Sequence, residues 1–184
     1  MSDYTDNFYT APDGLKLYYR DYGQPSQTAH TVLCMHGLTR NSADFHELAV
    51  HLSGRYRVIS VDQRGRGKSA YDPDPTNYRP DVYCQDMVAL LDHIQITNPI
   101  AIGTSMGGLM MMMMSAMRPS VFKGAIINDI GPVVETSGLE RIKGYVGGGG
   151  PFASWADAEN AIKAQGPDVF PNYTDTDWQK FARR

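Results

Sequence analysis

Five residues, Gly103-Thr104-Ser105-Met106-Gly107, place a hydroxyl between glycines two positions to either side. A strand that turns this sharply into a helix leaves the serine exposed at the bend and needs glycines where a β-carbon would meet backbone. The spacing alone arises by chance in many sequences. Here an apolar run, Ile100-Ala101-Ile102, precedes it and an uninterrupted helical stretch follows, which is the context such a turn requires. The chemistry on offer is attack of Ser105 on a carbonyl carbon. It also calls for donors to meet the charge that builds on the carbonyl oxygen and for a base, since an unassisted hydroxyl is a weak nucleophile at neutral pH. A second motif, Met35-His36-Gly37-Leu38, directly follows another apolar run.

The elements that must hold these residues follow from apolar periodicity. Residues 15–22 alternate after the Asp13-Gly14 turn and predict a half-exposed strand, whereas the continuous run at 31–35 predicts one buried on both faces. Residues 44–52 put Phe45, Leu48, Ala49 and Leu52 on one helical face, ended by Gly54. A strand at 56–61 and a helix at 81–94 follow, with Pro80 tolerated in the first turn. The same pattern continues as a strand at 100–102, a helix at 105–117 and a strand at 122–127. Alternating strands and helices predict an α/β fold with a mainly parallel sheet covered on both faces. Beyond residue 129 the pattern changes to a glycine-rich hinge at 147–150 and helical pieces at 154–165 and 176–183. Gly166-Pro167 and Pro171 break the chain between those pieces.

Asp13-Gly14, the His36-Gly37 turn, Asp62-Gln63-Arg64-Gly65-Arg66-Gly67-Lys68-Ser69, the serine turn and Asn128-Asp129-Ile130-Gly131-Pro132 occur in that order. In this order they resemble the α/β-hydrolase fold superfamily, in its esterase-like branch with a helical cap after the sixth strand. The resemblance implies a hydrolase core over residues 1–132 and an incomplete cap over 133–184. It also implies Ser105 as nucleophile and the backbone N–H groups of Leu38 and Met106 as the oxyanion hole, with no metal and no organic cofactor. Members that open epoxides or remove halide carry aspartate at the nucleophile position, so Ser105 points to hydrolysis of a carboxylic ester or related acyl bond. Hydrolysis of a carbon–carbon bond uses the same serine and stays open. A non-catalytic protein that holds a small molecule in the same pocket is a rival from another class, although a receptor has no need of an exposed serine. Asp129 stands where some members place the triad acid. Others place it after the seventh strand, which leaves Asp129 a pocket or loop-anchoring role.

The family order is nucleophile, acid, then histidine. His30, His36, His46, His51 and His93 all precede Ser105, so none sits where the base belongs, and His36 is expected to shape the oxyanion loop. Two further βα units, at roughly 30 residues each or somewhat more, are expected to carry the histidine and the usual acid. The expected partners are thus a small acyl substrate and a missing C-terminal segment or second polypeptide with the last strands. Alone, the chain is expected to expose a sheet edge and aggregate. A fragment with no function is the remaining alternative.

Other patterns have plainer readings. Gly65-Arg66-Gly67-Lys68-Ser69-Ala70 matches a relaxed dinucleotide fingerprint, but Pro73 and Pro75 forbid the helix it must open. Gly67-Lys68-Ser69 resembles the end of a P-loop, but Asp62 stands where that motif needs glycine. Met110 to Met114 reads as filler for irregular core space, not as a metal site. Trp155 and Trp178 could line an entrance or simply dock cap helices. Cys34 and Cys84 form no disulfide framework and read as core thiols of a cytoplasmic protein. The net charge of −3 and the lack of a basic stripe give no nucleic-acid or membrane surface, and the polar first ten residues are unlike a signal peptide.

Overall fold

Strand pairing in the structure, a computed structural model describing residues 3–23, 30–147, 149–165 and 170–184, follows the apolar runs closely. The sheet strands are β1 (Tyr4–Thr10), β2 (Lys16–Tyr22), β3 (Thr31–Met35), β4 (Arg57–Asp62), β5 (Ile100–Thr104) and β6 (Gly124–Asn128). They lie side by side in the order β1-β2-β4-β3-β5-β6. The four strands β4, β3, β5 and β6 are parallel, and β2 runs antiparallel to both β1 and β4. The expected mainly parallel α/β sheet is therefore observed.

Strand β3 is buried along its whole length because successive side chains enter two different cores. Leu33 and Met35 join Ile59, Val61 and Ala101 on one face, where α2 (Pro80–His93) and α3 (Met106–Met117) pack through Met87, Leu90, Met110, Met111 and Met114. Val32 and Cys34 join Val58 and Ile102 on the other face, against Phe45 and Ala49, the latter in α1 (His46–Leu52). The methionine run is thus mainly core, with Met117 alone of the α3 methionines strongly exposed. Both cysteines are free and buried, and burial pushes their thiols up to about 12 for Cys34 and about 11 for Cys84. Thiols held protonated in this way are unreactive.

Strand β6 behaves differently. Ile126 is 56% exposed and Ile127 is 41% exposed, so an apolar strand at the end of the sheet faces solvent. Two elements were not anticipated. β1 pairs along its full length with β2, although its sequence YTDNFYT is polar enough to pass for a loop. A helix, α4 (Thr136–Tyr145), precedes the glycine-rich segment. Residues 44 and 45, expected to open the helix at 44–52, instead belong to a separate 3-10 turn, Ser42–Phe45, capped by Asn41.

Two compact units divide the chain, Met1–Val133 and Val134–Arg184. The second holds α4, α5 (Trp155–Gln165) and α6 (Asp175–Ala182). Thr174 and Asp177 form a reciprocal capping box that starts α6. Trp178 is buried among Phe170, Tyr173 and Phe181, so it serves docking within this unit, while Trp155 stays exposed beneath the Arg183 guanidinium. Gly148 of the glycine-rich hinge and the Gly166-Pro167 break lie outside the described residues.

Candidate active site

The bend between β5 and α3 is as tight as its glycines allow. A β-carbon on Gly107 would lie 2.1 Å from the Met35 carbonyl oxygen, and one on Gly103 would lie 2.4 Å from Met111 Sδ and 2.5 Å from the Gly107 backbone. Both contacts are shorter than any atom can make, so helix and strands approach through glycine alone. Ser105 sits between them at φ 51° and ψ −111°. A non-glycine residue held there costs of order 1–3 kcal/mol, strain that persists only where surrounding structure imposes it. The imposing contact is a hydrogen bond from Ser105 N–H to the Asn128 carbonyl at 2.9 Å, which ties the bend to the end of β6. The Ser105 side chain is half-buried, and its hydroxyl has no hydrogen-bond partner among the described residues.

The loop after β3 lies against this serine. Ser105 Cβ and the Thr104 carbonyl each stand 3.8 Å from the position a β-carbon on Gly37 would take. His36, fully buried, fixes the loop. The Gln63 N–H donates to His36 Nε2 at 3.0 Å, so the ring proton belongs on Nδ1, and Nδ1–H donates to the Gly37 carbonyl at 2.7 Å. That carbonyl also accepts the Arg40 N–H at 3.1 Å. In a trans peptide the N–H points opposite to the C=O. Anchoring the Gly37 oxygen therefore aims the Leu38 N–H the other way, and that N–H has no partner among the described residues. Met106 opens α3, and its N–H is one of the first-turn donors that no helix satisfies internally.

With both ring nitrogens engaged and burial holding its pKa down to about 4, His36 is no base for Ser105. Asp62 and Asp44 pull that value up and Arg66 pushes it down, but desolvation dominates. Between pH 6.5 and 4 the unfolded chain binds a proton that the folded chain refuses. The His36 contribution to stability is therefore complete above pH 6.5 and declines as pH falls towards 4, by about 3 kcal/mol at about 1.4 kcal/mol per pH unit. Urea unfolding of the parent and His36→Asn at pH 7, 5.5 and 4.5 checks this. The parent is expected to lose more stability than the variant, and equal slopes would refute the link.

The other histidines lie elsewhere. His46 pairs with Tyr22, His51 is on the exposed side of α1, and His93 ends α2. His30 precedes β3 and contacts Lys123 in a cavity of about 460 Å³ at the start of the parallel strands, the end opposite Ser105. Asp129 directly follows β6 at φ 59°, exposed and with no hydrogen-bond or ion-pair partner among the described residues. The chain thus brings together Ser105, the Leu38 loop, Met106 and the residue before Asp129, and the one histidine of that loop, His36, has both ring nitrogens bonded to the backbone.

The sequence model of the alpha/beta hydrolase fold family matches residues 30–180. The chain belongs to that family. This α/β-hydrolase is 37% identical over 138 residues to a 3-hydroxybutyrate-oligomer hydrolase of Cupriavidus necator, covering 74% of the present chain and 47% of that protein. It is 33% identical over 118 residues to a 2-(acetamidomethylene)succinate hydrolase of Mesorhizobium japonicum, covering 64% of the present chain and 42% of that protein. An α/β-hydrolase crystal structure from Novosphingobium aromaticivorans superposes with a TM-score of 0.95 at 44% identity, over the whole present chain and 64% of the other. The chain therefore spans less than half the length of these curated relatives and about two thirds of that structure.

In this α/β-hydrolase the loop after β4 touches the site in ways that periodicity could not reveal. The segment Asp62 to Ser69 opens no helix, as Pro73 and Pro75 required, and instead turns tightly through Gly65 and Gly67, both at positive φ. From it Arg66 Nε donates to the Leu38 carbonyl at 3.1 Å. No helix among the described residues is long and apolar enough to cross a membrane, and none of their His, Cys, Asp and Glu side chains cluster as metal ligands.

Proposed function

We propose that this chain is the larger part of a serine hydrolase acting on a carboxylic ester or related acyl bond. Ser105 attacks the carbonyl carbon, and the Leu38 and Met106 N–H groups receive the developing oxyanion. A histidine from the missing C-terminal segment or a second polypeptide takes the hydroxyl proton and returns it to the leaving alcohol. Water then attacks the acyl-enzyme and releases the acid. Asp129 fits the acid role in this scheme. A loop anchor would spend its carboxylate on neighbours, whereas Asp129 is unpaired among the described residues and follows the residue that holds Ser105 N–H.

The observation that carries the reading is the imposed backbone of Ser105, strained yet with a hydroxyl unbonded among the described residues, beside an anchored loop. The two relatives named above cleave a hydroxybutyrate oligomer and an acetamidomethylene succinate, which supports an acyl substrate. The exposed Ile126 and Ile127 on β6 support further elements packed beside this strand, and residues 133–184 are read as the incomplete cap. Cytoplasmic residence is part of the same proposal and accords with the buried, unpaired cysteines.

The test treats the native preparation with a fluorophosphonate, then measures intact mass under denaturing conditions. Expected are a covalent adduct on the Ser105 peptide and a second polypeptide, or a longer chain, that contributes a histidine. Tight binding of a small ligand with no adduct would favour a receptor and sink the hydrolase.

A further inference from the structure

We propose that Arg66 is a positioning residue for the oxyanion hole, which gives the Asp62 to Ser69 segment a role in the serine chemistry. The inference rests on the hydrolase reading above. Three side-chain bridges join this segment to the loop after β3, and they fall before, at and after the oxyanion donor. Gln63 N–H is held by His36 at 3.0 Å, and the Asp62 carboxylate accepts Ser42 N–H at 2.7 Å. Between them Arg66 Nε donates to the carbonyl of Leu38 itself. The His36 bond fixes the peptide before Leu38, and the Arg66 bond fixes the peptide after it. Together they leave Leu38 little freedom about φ and ψ.

The guanidinium is itself well held. Its Nη1 donates to the Arg64 carbonyl at 2.8 Å and to Tyr83 Oη at 3.1 Å, and its carbon stands 5.3 Å from the Tyr83 ring centroid and 5.8 Å from that of Tyr78. The loop is built to present it. A β-carbon on Gly65 would lie 2.5 Å from Tyr78, and one on Gly67 would strike the Asp62 carboxylate, which accepts Lys68 N–H at 2.8 Å. No carboxylate pairs with Arg66 among the described residues, so its charge remains unneutralised beside the loop that must receive an oxyanion.

A donor displaced by about 1 Å costs on the order of 100-fold in rate. The test uses the complete hydrolase, this chain with its C-terminal complement, carrying Arg66→Gln or Arg66→Lys. Arg66→Gln is expected to lower kcat on a neutral nitrophenyl ester by about 10- to 100-fold with KM little changed. The affinity for a trifluoromethyl ketone, which forms an oxyanion in the same hole, should fall by the same factor. Arg66→Lys keeps charge but loses the fork, so it is expected to recover only part of the loss. Hydrogen exchange over residues 36–41 should quicken while β3 and α3 stay protected, a readout that does not depend on turnover. Unchanged kcat, or a rise in KM with unaltered inhibitor affinity, overturns the role while leaving the hydrolase standing. Exchange that quickens throughout the core would also overturn it, as general destabilisation. A parent that neither turns over esters nor labels at Ser105 overturns both readings.

Discussion

Ser105→Ala is expected to lower kcat on a simple ester by about 10⁴- to 10⁶-fold in the complete hydrolase, with the fold intact. The oxyanion donors are backbone groups and survive the substitution, so a residual rate above that of water should remain. Stability makes the prediction sharper. The serine hydroxyl has no partner among the described residues, so its loss leaves no orphaned donor or acceptor among them. Ser105→Gly goes further, because glycine adopts φ 51° without the β-carbon clash that any other residue suffers. We expect Ser105→Gly to be inactive yet about 1 kcal/mol more stable than Ser105→Ala in urea unfolding. An alanine variant that keeps its activity would remove Ser105 from the mechanism. A glycine variant less stable than the alanine one would show that the backbone at this bend is unstrained.

The second large effect is expected at Arg64, which no argument from catalysis would single out. This side chain is 1% exposed and serves three carboxylates. It forks onto Asp86 at 2.8 and 2.6 Å, and its Nη1 reaches Asp13 at 2.7 Å and Asp72 at 2.6 Å. Those acids come from the turn between β1 and β2, the loop after β4 and the middle of α2, so one guanidinium joins three parts of the core unit. Burial holds the Asp86 carboxyl above its usual range despite this partner, which shows how poorly the site tolerates unpaired negative charge. Removing one partner of a buried ion pair costs about 3–5 kcal/mol, and total stability is only about 5–15 kcal/mol. Arg64→Met is therefore expected to leave the chain largely unfolded at 37 °C by circular dichroism. Adding Asp86→Leu should restore part of the loss, because an apolar pair replaces an uncompensated charge. If the double variant is no more stable than the single one, the damage comes from lost packing and not from the stranded carboxylate.

Sequence reading reached as far as local pattern reaches. The runs at β3, β4 and β5 were legible because a strand buried on both faces must be apolar at most positions. The bend at Ser105 was legible because its glycines are spaced by backbone sterics. β1 was not, since its seven residues owe their conformation to full pairing with β2, and half of its side chains face water. The Arg64 cluster joins residues up to 51 positions apart, and the Arg66 bridge to Leu38 spans 28. No periodicity encodes such contacts, because either arginine would read as an ordinary surface residue of a polar loop. The status of His36 was half legible. Its place beside a glycine suggested loop shaping, but only the Gln63 bond fixes which nitrogen carries the proton.

The distribution of these parts along the chain bears on how such an enzyme comes off the ribosome. Every bridge that shapes the anion-receiving loop, and the bend that presents Ser105, lies before residue 133. Where the proton acceptor of the proposed enzyme belongs to the same polypeptide, it is translated last. At about 5–20 residues per second, such a nascent chain carries the serine bend and the anion-receiving loop with an inert hydroxyl for several seconds before the base emerges. Synthesis in that order keeps the half-made enzyme chemically silent towards the esters around it.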